Sequence, residues 1–225
     1  MIINAMKNSD IYLSFDLDNT LIKNTKGIIN SFNYALEKYK KEKIPPKIIK
    51  QMIGIPLHEM FKEVTNESPE KYVSTFRDFY RKKGIYQSKL IKGVRKKLKE
   101  LKESGFSLGV LSSKKHEMVY NILKILKIDK FFDLYLGETE QRKKKYDPIT
   151  KNIISEKFPG KKIIVIGDHI NDVKVAEMLG CPFIGVLTGT TIKEKLTESI
   201  SVSYLILKSI RDLNANVIYS ILKKK

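Results

Sequence analysis

The sequence predicts an α/β protein with a doubly wound parallel sheet and an inserted all-helical domain. Three observations lead to this fold class: short apolar runs recur along the chain, amphipathic stretches separate them, and one long segment has only helical patterns. Short, nearly continuous apolar runs are typical of strands buried on both faces of a parallel sheet. Their alternation with helices is the pattern of a doubly wound fold.

Six apolar runs predict the strands of this sheet. They cover residues 11–15, 106–111, 132–136, 162–166, 183–186 and, more weakly, 204–207. Between and after these runs, apolar residues at helical spacing predict helices over residues 94–103, 117–126, 148–157, 173–179 and 210–222.

The long helical segment follows the first strand directly. Its patterns predict helices over residues 28–41, 47–53 and 57–64, and a fourth that begins near Ser68, where Pro69 marks a first turn. We therefore expect an α/β core of residues 1–22 and 88–225, with a helical insertion of residues 23–87.

The formal net charge of +18 favours an anionic partner, either a nucleic acid or a phosphorylated small molecule. Of the 43 basic residues, 38 are lysines, and they are spread over most of the chain without an aromatic-interleaved motif. Proteins that read base edges more often use arginine, because its planar fork pairs bidentately. We expect a lysine-rich surface that attracts phosphorylated metabolites and no specific nucleic-acid partner.

The sequence contains neither a membrane segment nor the means to form a disulfide. No run approaches the roughly 18 apolar residues that a membrane-spanning helix needs, and the start of the chain has no clear cleavage site. Cys181 is the single cysteine. These features predict a protein without a membrane partner, in a reducing cytoplasm.

Polar residues follow three of the predicted strands. Asp16 and Asp18 come directly after the first strand, Ser112 after the second, and Asp168 and Asp172 after the fourth. In an open parallel sheet, ligands bind beyond the carboxyl ends of the strands, so these side chains should meet at one edge. The sequence therefore predicts a functional site there.

The carboxylates of Asp16, Asp18 and Asp168 would repel one another unless a cation lay among them. An oxygen-only cluster suits Mg²⁺, and no cysteine and histidine group suits zinc. Individually, each aspartate could instead form a turn or cap a helix. The arrangement of all three favours a magnesium site.

The chain resembles the haloacid dehalogenase-like superfamily of phosphatases. The resemblance lies in "FDLDNTLI", "GVLSSK", a lysine cluster and "VIGDHINDV", in this order, and it covers nearly the whole chain. The helical insertion is similar to the cap domain of the branch that contains phosphoglycolate phosphatase and β-phosphoglucomutase. The segments "IGIPLHEMF" and "IKGVRKKLKEL" also resemble that branch. One departure is Asn19, where glycine is common.

The resemblance implies a role for each residue of the first two motifs. Asp16 would be the nucleophile that forms an aspartyl-phosphate. Asp18 would act as general acid and base, and its backbone carbonyl would bind the metal. Thr20 would brace the loop, and Ser112 would hydrogen-bond the phosphoryl group, with Ser113 in support.

The last two motifs imply metal and lysine roles. Asp168 would bind Mg²⁺ together with the residues of the first motif, and Asp172 would support the metal or the lysine. The catalytic lysine is ambiguous among Lys143, Lys144 and Lys145, because the proline that usually follows it is missing. Spacing in relatives, to the next helix and to the metal-binding aspartate, favours Lys143.

The function implied is Mg²⁺-dependent hydrolysis of a small phosphomonoester, such as a phosphoglycolate-like compound, a sugar phosphate or a nucleotide, or of pyrophosphate. A phosphomutase of the same fold is an alternative, because it would use the same aspartates. A nucleic-acid-binding protein without catalysis is an alternative from another class, and it predicts steeply salt-dependent binding. The substrate and the oligomeric state stay open.

Overall fold

The computed structural model describes residues 6–53, 55–198 and 200–224. The chain divides into two compact units. The α/β unit comprises Met1–Leu21 and Leu90–Lys225, and the helical unit comprises Ile22–Lys89. The sequence-based boundaries after residues 22 and 87 lie within two residues of these.

The elements follow one another along the chain. The strands are β1 (Ile11–Phe15), β2 (Ile22–Lys23), β3 (Lys89–Leu90), β4 (Ser107–Lys115), β5 (Leu134–Glu138), β6 (Lys162–Gly167), β7 (Phe183–Val186) and β8 (Tyr204–Leu207). The helices are α1 (Thr25–Lys38), α2 (Pro46–Met52), α3 (Leu57–Thr65), α4 (Glu70–Phe79), α5 (Val94–Glu103), α6 (His116–Ile125), α7 (Pro148–Lys157), α8 (Ile170–Leu179), α9 (Lys193–Thr197) and α10 (Ala215–Leu222).

The α/β unit is built on a six-stranded sheet in the order β5-β4-β1-β6-β7-β8. Every neighbouring pair in this sheet is parallel. Numbered along the sheet's own strands, this is the 3-2-1-4-5-6 order of a doubly wound fold, in which the connections place helices on both faces. The predicted fold class is confirmed.

The end of β1 lies beside β4 on one side and beside the end of β6 on the other. Phe15, the last residue of β1, pairs with Val110 of β4 on one side and with Ile166 of β6 on the other. All five residues of β1 are buried, as the continuous apolar run predicts for a central strand. The residues that follow β1 and β6, and the last residues of β4, therefore lie at the same edge of the sheet.

Aromatic side chains form the core of the helical unit. The rings of Phe32 in α1 and Phe61 in α3 stack with centroids 4.2 Å apart, and Tyr72 of α4 lies 5.5 Å from Phe61. One aromatic cluster thus joins three helices. A close backbone contact adds to it, since a Cβ at Gly27 would overlap the carbonyl oxygen of Gly84.

Three differences from the predicted elements have local causes. The strand β4 continues through Lys115, four residues past its apolar run, because Lys115 pairs with Glu138 of β5 after a register shift. The C-terminal helix begins only at Ala215, since the side chain of Asn214 accepts a hydrogen bond from Val217 N at 3.1 Å and caps it there. The strands β2 and β3 have two residues each, too few to give an apolar pattern.

Cys181 belongs to the hydrophobic core of the α/β unit and is 6% exposed. Burial raises the pKa of its thiol to about 12. In the described part of the chain, each helix is too short or too polar to cross a membrane.

Candidate active site

Three buried carboxylates meet at the carboxyl ends of β1 and β6. Asp16 follows β1, Asp168 follows β6, and Asp172 lies in the first turn of α8. One carboxylate oxygen of each lies within 4.8 Å of the others, and none of the three residues is more than 8% exposed. The topology thus concentrates negative charge where the sequence predicted the site.

Among the described residues, one ammonium group lies between these carboxylates. Lys145 Nζ donates to Asp16 Oδ1 at 2.7 Å and to Asp172 Oδ1 at 2.5 Å, and the side chain is 5% exposed. Lys143, which spacing in relatives favoured for this position, is exposed, and so is Lys144. The structure therefore contradicts the placement of Lys143 at the site and brings Lys145 there instead.

The local geometry of the loop between β5 and α7 explains this difference. Arg142 and Lys145 are both buried, and the two exposed lysines lie between them. Lys144 O then accepts a hydrogen bond from Asp147 N at 3.2 Å, and Asp147 caps α7 through Ile149 N. This turn directs Lys145, three residues before Pro148, inward. Residue spacing alone favours Lys143, five residues before Pro148.

Asp18 lies beside the cluster but pairs with a different lysine. Its Oδ2 atom lies 3.1 Å from Lys114 Nζ, and the two side chains are 21% and 16% exposed. Its carboxylate is not among those that approach within 4.8 Å of one another. A metal contact through its backbone carbonyl, which the resemblance implies, stays a prediction.

The two serines of β4 have different surroundings. Ser112 is 1% exposed, and its Oγ accepts a hydrogen bond from Lys114 N at 3.2 Å. Ser113 is exposed. Of the two, Ser112 has the buried position at the end of the sheet, and Lys114, which was not assigned a role from the sequence, contacts both this hydroxyl and Asp18.

The loop after β1 is fixed by Thr20 and Asn19. Thr20 is fully buried, and its hydroxyl donates to Asp168 Oδ1 at 2.9 Å, so it orients a carboxylate of the cluster. Asn19 has φ 59°, in the left-handed region that glycine adopts easily and asparagine tolerates better than most residues. This conformation accounts for Asn19 at a position where glycine is common.

Two glycines allow the backbone to approach the carboxylates. A Cβ at Gly167 would overlap the carboxyl group of Asp172, and a Cβ at Gly189 would overlap Asp168 Oδ2. Larger residues at either position would displace a carboxylate. Sequence reasoning missed Gly189, since its loop after β7 carries no charged residue that would mark it.

Burial dominates the electrostatics of the cluster. The pKa of Asp16 is raised to about 7, by burial first, against the opposing charge of Lys145 and with smaller contributions from the charges of Asp172 and Asp18. The pKa of Asp168 is also raised, by burial first and then by its carboxylate neighbours. Burial would lower the pKa of Lys145, but Asp16 and Asp172 outweigh it and raise that pKa, so the ammonium stays charged.

The carboxylate cluster can hold a cation and present an oxygen nucleophile. When all groups are ionised, three buried carboxylates face one buried ammonium and leave two net negative charges. A divalent cation would balance this charge and favour the ionised form of each carboxylate. The described oxygen atoms suit a hard ion such as Mg²⁺.

Comparison with known proteins identifies relatives that cover most of the chain. The family model for haloacid dehalogenase-like hydrolases matches residues 13–186. PpaX of Caldanaerobacter subterraneus is 32% identical over 174 residues, which are 76% of this chain and 79% of the relative. The pyrophosphatase PpaX of Halalkalibacterium halodurans is 32% identical over 164 residues, 71% of this chain and 75% of the relative.

Solved structures agree with these matches. A haloacid dehalogenase-like family hydrolase from Streptococcus pneumoniae superimposes with a TM-score of 0.83 at 25% sequence identity. The superposition covers 94% of this chain and 99% of that protein. The similarity therefore includes the helical insertion as well as the sheet.

Proposed function

Because the chain belongs to the haloacid dehalogenase-like hydrolases, in their phosphatase branch, we propose that it hydrolyses a small phosphate ester or anhydride with Mg²⁺. Asp16 is the proposed nucleophile. One observation carries the proposal: the buried ammonium of Lys145 binds both Asp16 and Asp172, beside the third buried carboxylate, Asp168. A site of this composition neutralises the charge of a phosphoryl group and attacks it with a carboxylate.

The metal is assigned to Asp16 and Asp168. Asp172 also has an oxygen within the cluster, but its Oδ1 accepts from Lys145 and its Oδ2 accepts from His169 N at 3.0 Å. Both of its oxygens are thus engaged, which favours a supporting role for Asp172. The backbone carbonyl of Asp18 is the remaining proposed ligand. When bound, Mg²⁺ would neutralise charge on the phosphoryl oxygens.

The proposed reaction has two displacements. In the first, an Asp16 carboxylate oxygen attacks phosphorus and the bond to the leaving oxygen breaks, while Asp18 donates a proton to that oxygen. In the second, water attacks the phosphorus of the aspartyl-phosphate, Asp18 accepts the proton of the water, and phosphate leaves with Asp16 restored. The partial exposure of Asp18, at 21%, suits a group that exchanges protons with substrate and water.

The remaining polar groups hold these residues and the phosphoryl group. Lys145 orients Asp16 through its Oδ1 atom and keeps a positive charge beside it. Lys114 pairs with Asp18, which keeps the proton donor in place. Ser112 is the proposed hydrogen-bond donor to a phosphoryl oxygen, and Ser113 is left as a supporting residue of the same loop.

The substrate screen should begin with pyrophosphate. The relative from Halalkalibacterium halodurans is a pyrophosphatase, and the net charge of +18 favours anionic substrates in general. The test is release of inorganic phosphate from pyrophosphate, phosphoglycolate, sugar phosphates and nucleotides in the presence of Mg²⁺. A phosphomutase would instead convert a sugar phosphate to its isomer without net release of phosphate.

The affinity for Mg²⁺ should fall as the pH falls below about 7. Burial raises the pKa of Asp16 from its ordinary 3.8 to about 7, so in the metal-free protein a proton occupies this carboxylate at lower pH. The cation must displace that proton, so the affinity should drop up to about tenfold per pH unit for each proton displaced. Isothermal titration calorimetry at pH 8, 7 and 6 measures the effect. An affinity that does not change with pH would contradict metal binding at Asp16.

The helical unit is the proposed lid that selects the substrate and excludes water during transfer. Replacing the helical unit, residues 22–89, by a short Gly-Ser linker should lower kcat/KM more for the natural substrate than for p-nitrophenyl phosphate. The aryl phosphate serves as the control for an intact α/β unit. Equal losses on both substrates would contradict a role in specificity.

A further inference from the structure

Arg142 is a buried cation outside the carboxylate cluster. Its side chain is 2% exposed, and its Nη2 donates to the carbonyl oxygen of Gly137 in β5. Its Nη1 is buried without a hydrogen-bond partner, and no carboxylate of the described residues lies within ion-pair distance of the guanidinium. The charge of Asp147 acts on the guanidinium from beyond that distance, so the cost of desolvating Arg142 is only partly offset.

Arg142 fastens the start of the loop that carries Lys145. Thr139 N donates to Arg142 O at 2.9 Å, and Arg142 N donates to Thr139 Oγ1 at 3.1 Å, which closes a turn. The guanidinium contact to Gly137 then ties this turn to the last residues of β5. Backbone and side chain therefore hold Arg142 against the edge of the sheet.

Lys145 lies three residues after Arg142 and two residues before Asp147, and both of these residues are anchors, held by hydrogen bonds. Asp147 caps α7 by accepting a hydrogen bond from Ile149 N at 3.0 Å. Between the two anchors, the chain places the ammonium of Lys145 between Asp16 and Asp172. Displacement by about 1 Å at such a site is costly for catalysis, since transition-state interactions depend on geometry.

We propose that Arg142 is a positioning residue that acts on catalysis through Lys145, by fixing the loop between β5 and α7. This inference rests on the proposed function, because it assigns Lys145 to the reaction. The neutral side chain of methionine would fill part of the same volume, but it could not donate to Gly137. Arg142 should therefore affect turnover in a way that depends on Lys145, while substrate binding changes little.

A double-mutant cycle tests the dependence on Lys145. Arg142→Met, Lys145→Ala and the double variant are compared with the wild type in kcat and KM for the best substrate of the screen. We expect Arg142→Met to lower kcat about tenfold or more with KM within about twofold. In the Lys145→Ala background, the same change should lower kcat by less than about twofold, because coupled residues are not additive.

Arg95→Met is the matched control. Arg95 also donates to backbone carbonyls, those of Lys127 and Leu126, but these contacts lie at the end of α6 that is far from the carboxyl edge of the sheet. Its replacement should leave kcat within about twofold of wild type. Arg142→Lys keeps the positive charge and a nitrogen that can donate a hydrogen bond, so its kcat should lie between those of Arg142→Met and the wild type. This variant replaces Arg142→Met in the cycle if Arg142→Met does not fold.

Each result supports or overturns the inference. A folded Arg142→Met with the wild-type kcat would overturn it, and so would an equal loss of kcat in both backgrounds. If Arg142→Met does not fold, a folded Arg142→Lys that loses the same factor with and without Lys145 would also overturn it. Full activity of Lys145→Ala would instead contradict the role that the proposed function gives to Lys145, and this inference with it.

Discussion

Asp16→Asn is expected to lower phosphate release at least about a thousandfold while the fold stays intact, because an amide oxygen is a poor nucleophile. The substitution keeps the shape of the side chain and an oxygen that can accept from Lys145. Turnover is measured with Mg²⁺ at saturating substrate, and folding by circular dichroism and thermal unfolding.

Thermal stability gives this variant a second readout. Burial raises the pKa of Asp16 to about 7, above its ordinary 3.8, so the folded metal-free protein binds a proton that the unfolded chain has released. Ionising Asp16 therefore costs stability progressively as the pH rises from about 4 to 7, and the full cost applies at pH 8. An amide does not ionise and carries no such cost, so the metal-free Asp16→Asn variant should unfold at an equal or higher temperature at pH 8.

Asp10→Asn is the control for Asp16→Asn. Asp10 is exposed and immediately precedes β1, at the opposite end of the strand that Asp16 follows. Its replacement should leave turnover within about twofold of wild type. Substantial activity in Asp16→Asn, with the control normal, would contradict the aspartyl-phosphate mechanism.

Lys145→Ala is expected to lower kcat about a hundredfold or more, since a fixed charge beside the phosphoryl group stabilises its transition state. Lys143→Ala and Lys144→Ala should each stay within about twofold of wild type, because surface changes have small effects and both side chains are exposed. The three variants, assayed side by side, differ by position within one lysine run and serve as controls for one another.

Stability should distinguish the same three variants. Removing the ammonium leaves Asp16 and Asp172 buried without their cation, and breaking a buried ion pair by deleting one partner costs about 3–5 kcal/mol. Mg²⁺ and protonation of the carboxylates would offset part of this loss. Denaturant unfolding of the metal-free proteins measures it. A collapse of activity in Lys143→Ala with normal turnover in Lys145→Ala would contradict the assignment.

The fold was predictable because its strongest signals are local. The apolar runs at residues 11–15 and 183–186 and the helical pattern at 94–103 coincide with observed elements. A parallel sheet buries its strands on both faces, so each run is continuous and its ends are clear. The topology of a parallel sheet brings the carboxyl ends of its strands to one edge. The proximity of Asp16 and Asp168 can therefore be predicted from the sequence.

The lysine could not be chosen from the sequence, because its direction depends on contacts outside its own segment. Lys143, Lys144 and Lys145 are chemically identical. Of the three only Lys145 is buried, in a loop whose ends are held by the contacts of Arg142 and Asp147. Counting residues by comparison with relatives assumes that the loop follows the same path in each protein. This loop lacks the proline that usually follows the catalytic lysine. A tertiary contact thus decided what spacing could not.

Close contacts made by glycine backbones also could not be predicted from the sequence. Gly189 contacts Asp168 only because the loop after β7 passes over the end of β6, and nothing in its own segment indicates this approach. The π-helical turn Tyr80–Gly84 likewise ends at Gly84, whose backbone packs closely against Gly27. Such features follow from tertiary structure and leave weak sequence signals.

The burial of Cys181 has a practical consequence for observing motion. Thiol reagents attack the thiolate, and a thiol with a pKa of about 12 that is 6% exposed will react slowly. Introduced cysteines can therefore be labelled selectively without replacing Cys181. Cysteines introduced at Tyr86 and Ile192, which are 67% and 57% exposed, would attach one fluorophore to the helical unit and one to the α/β unit. Energy transfer between the two dyes would then test whether the proposed lid moves during turnover.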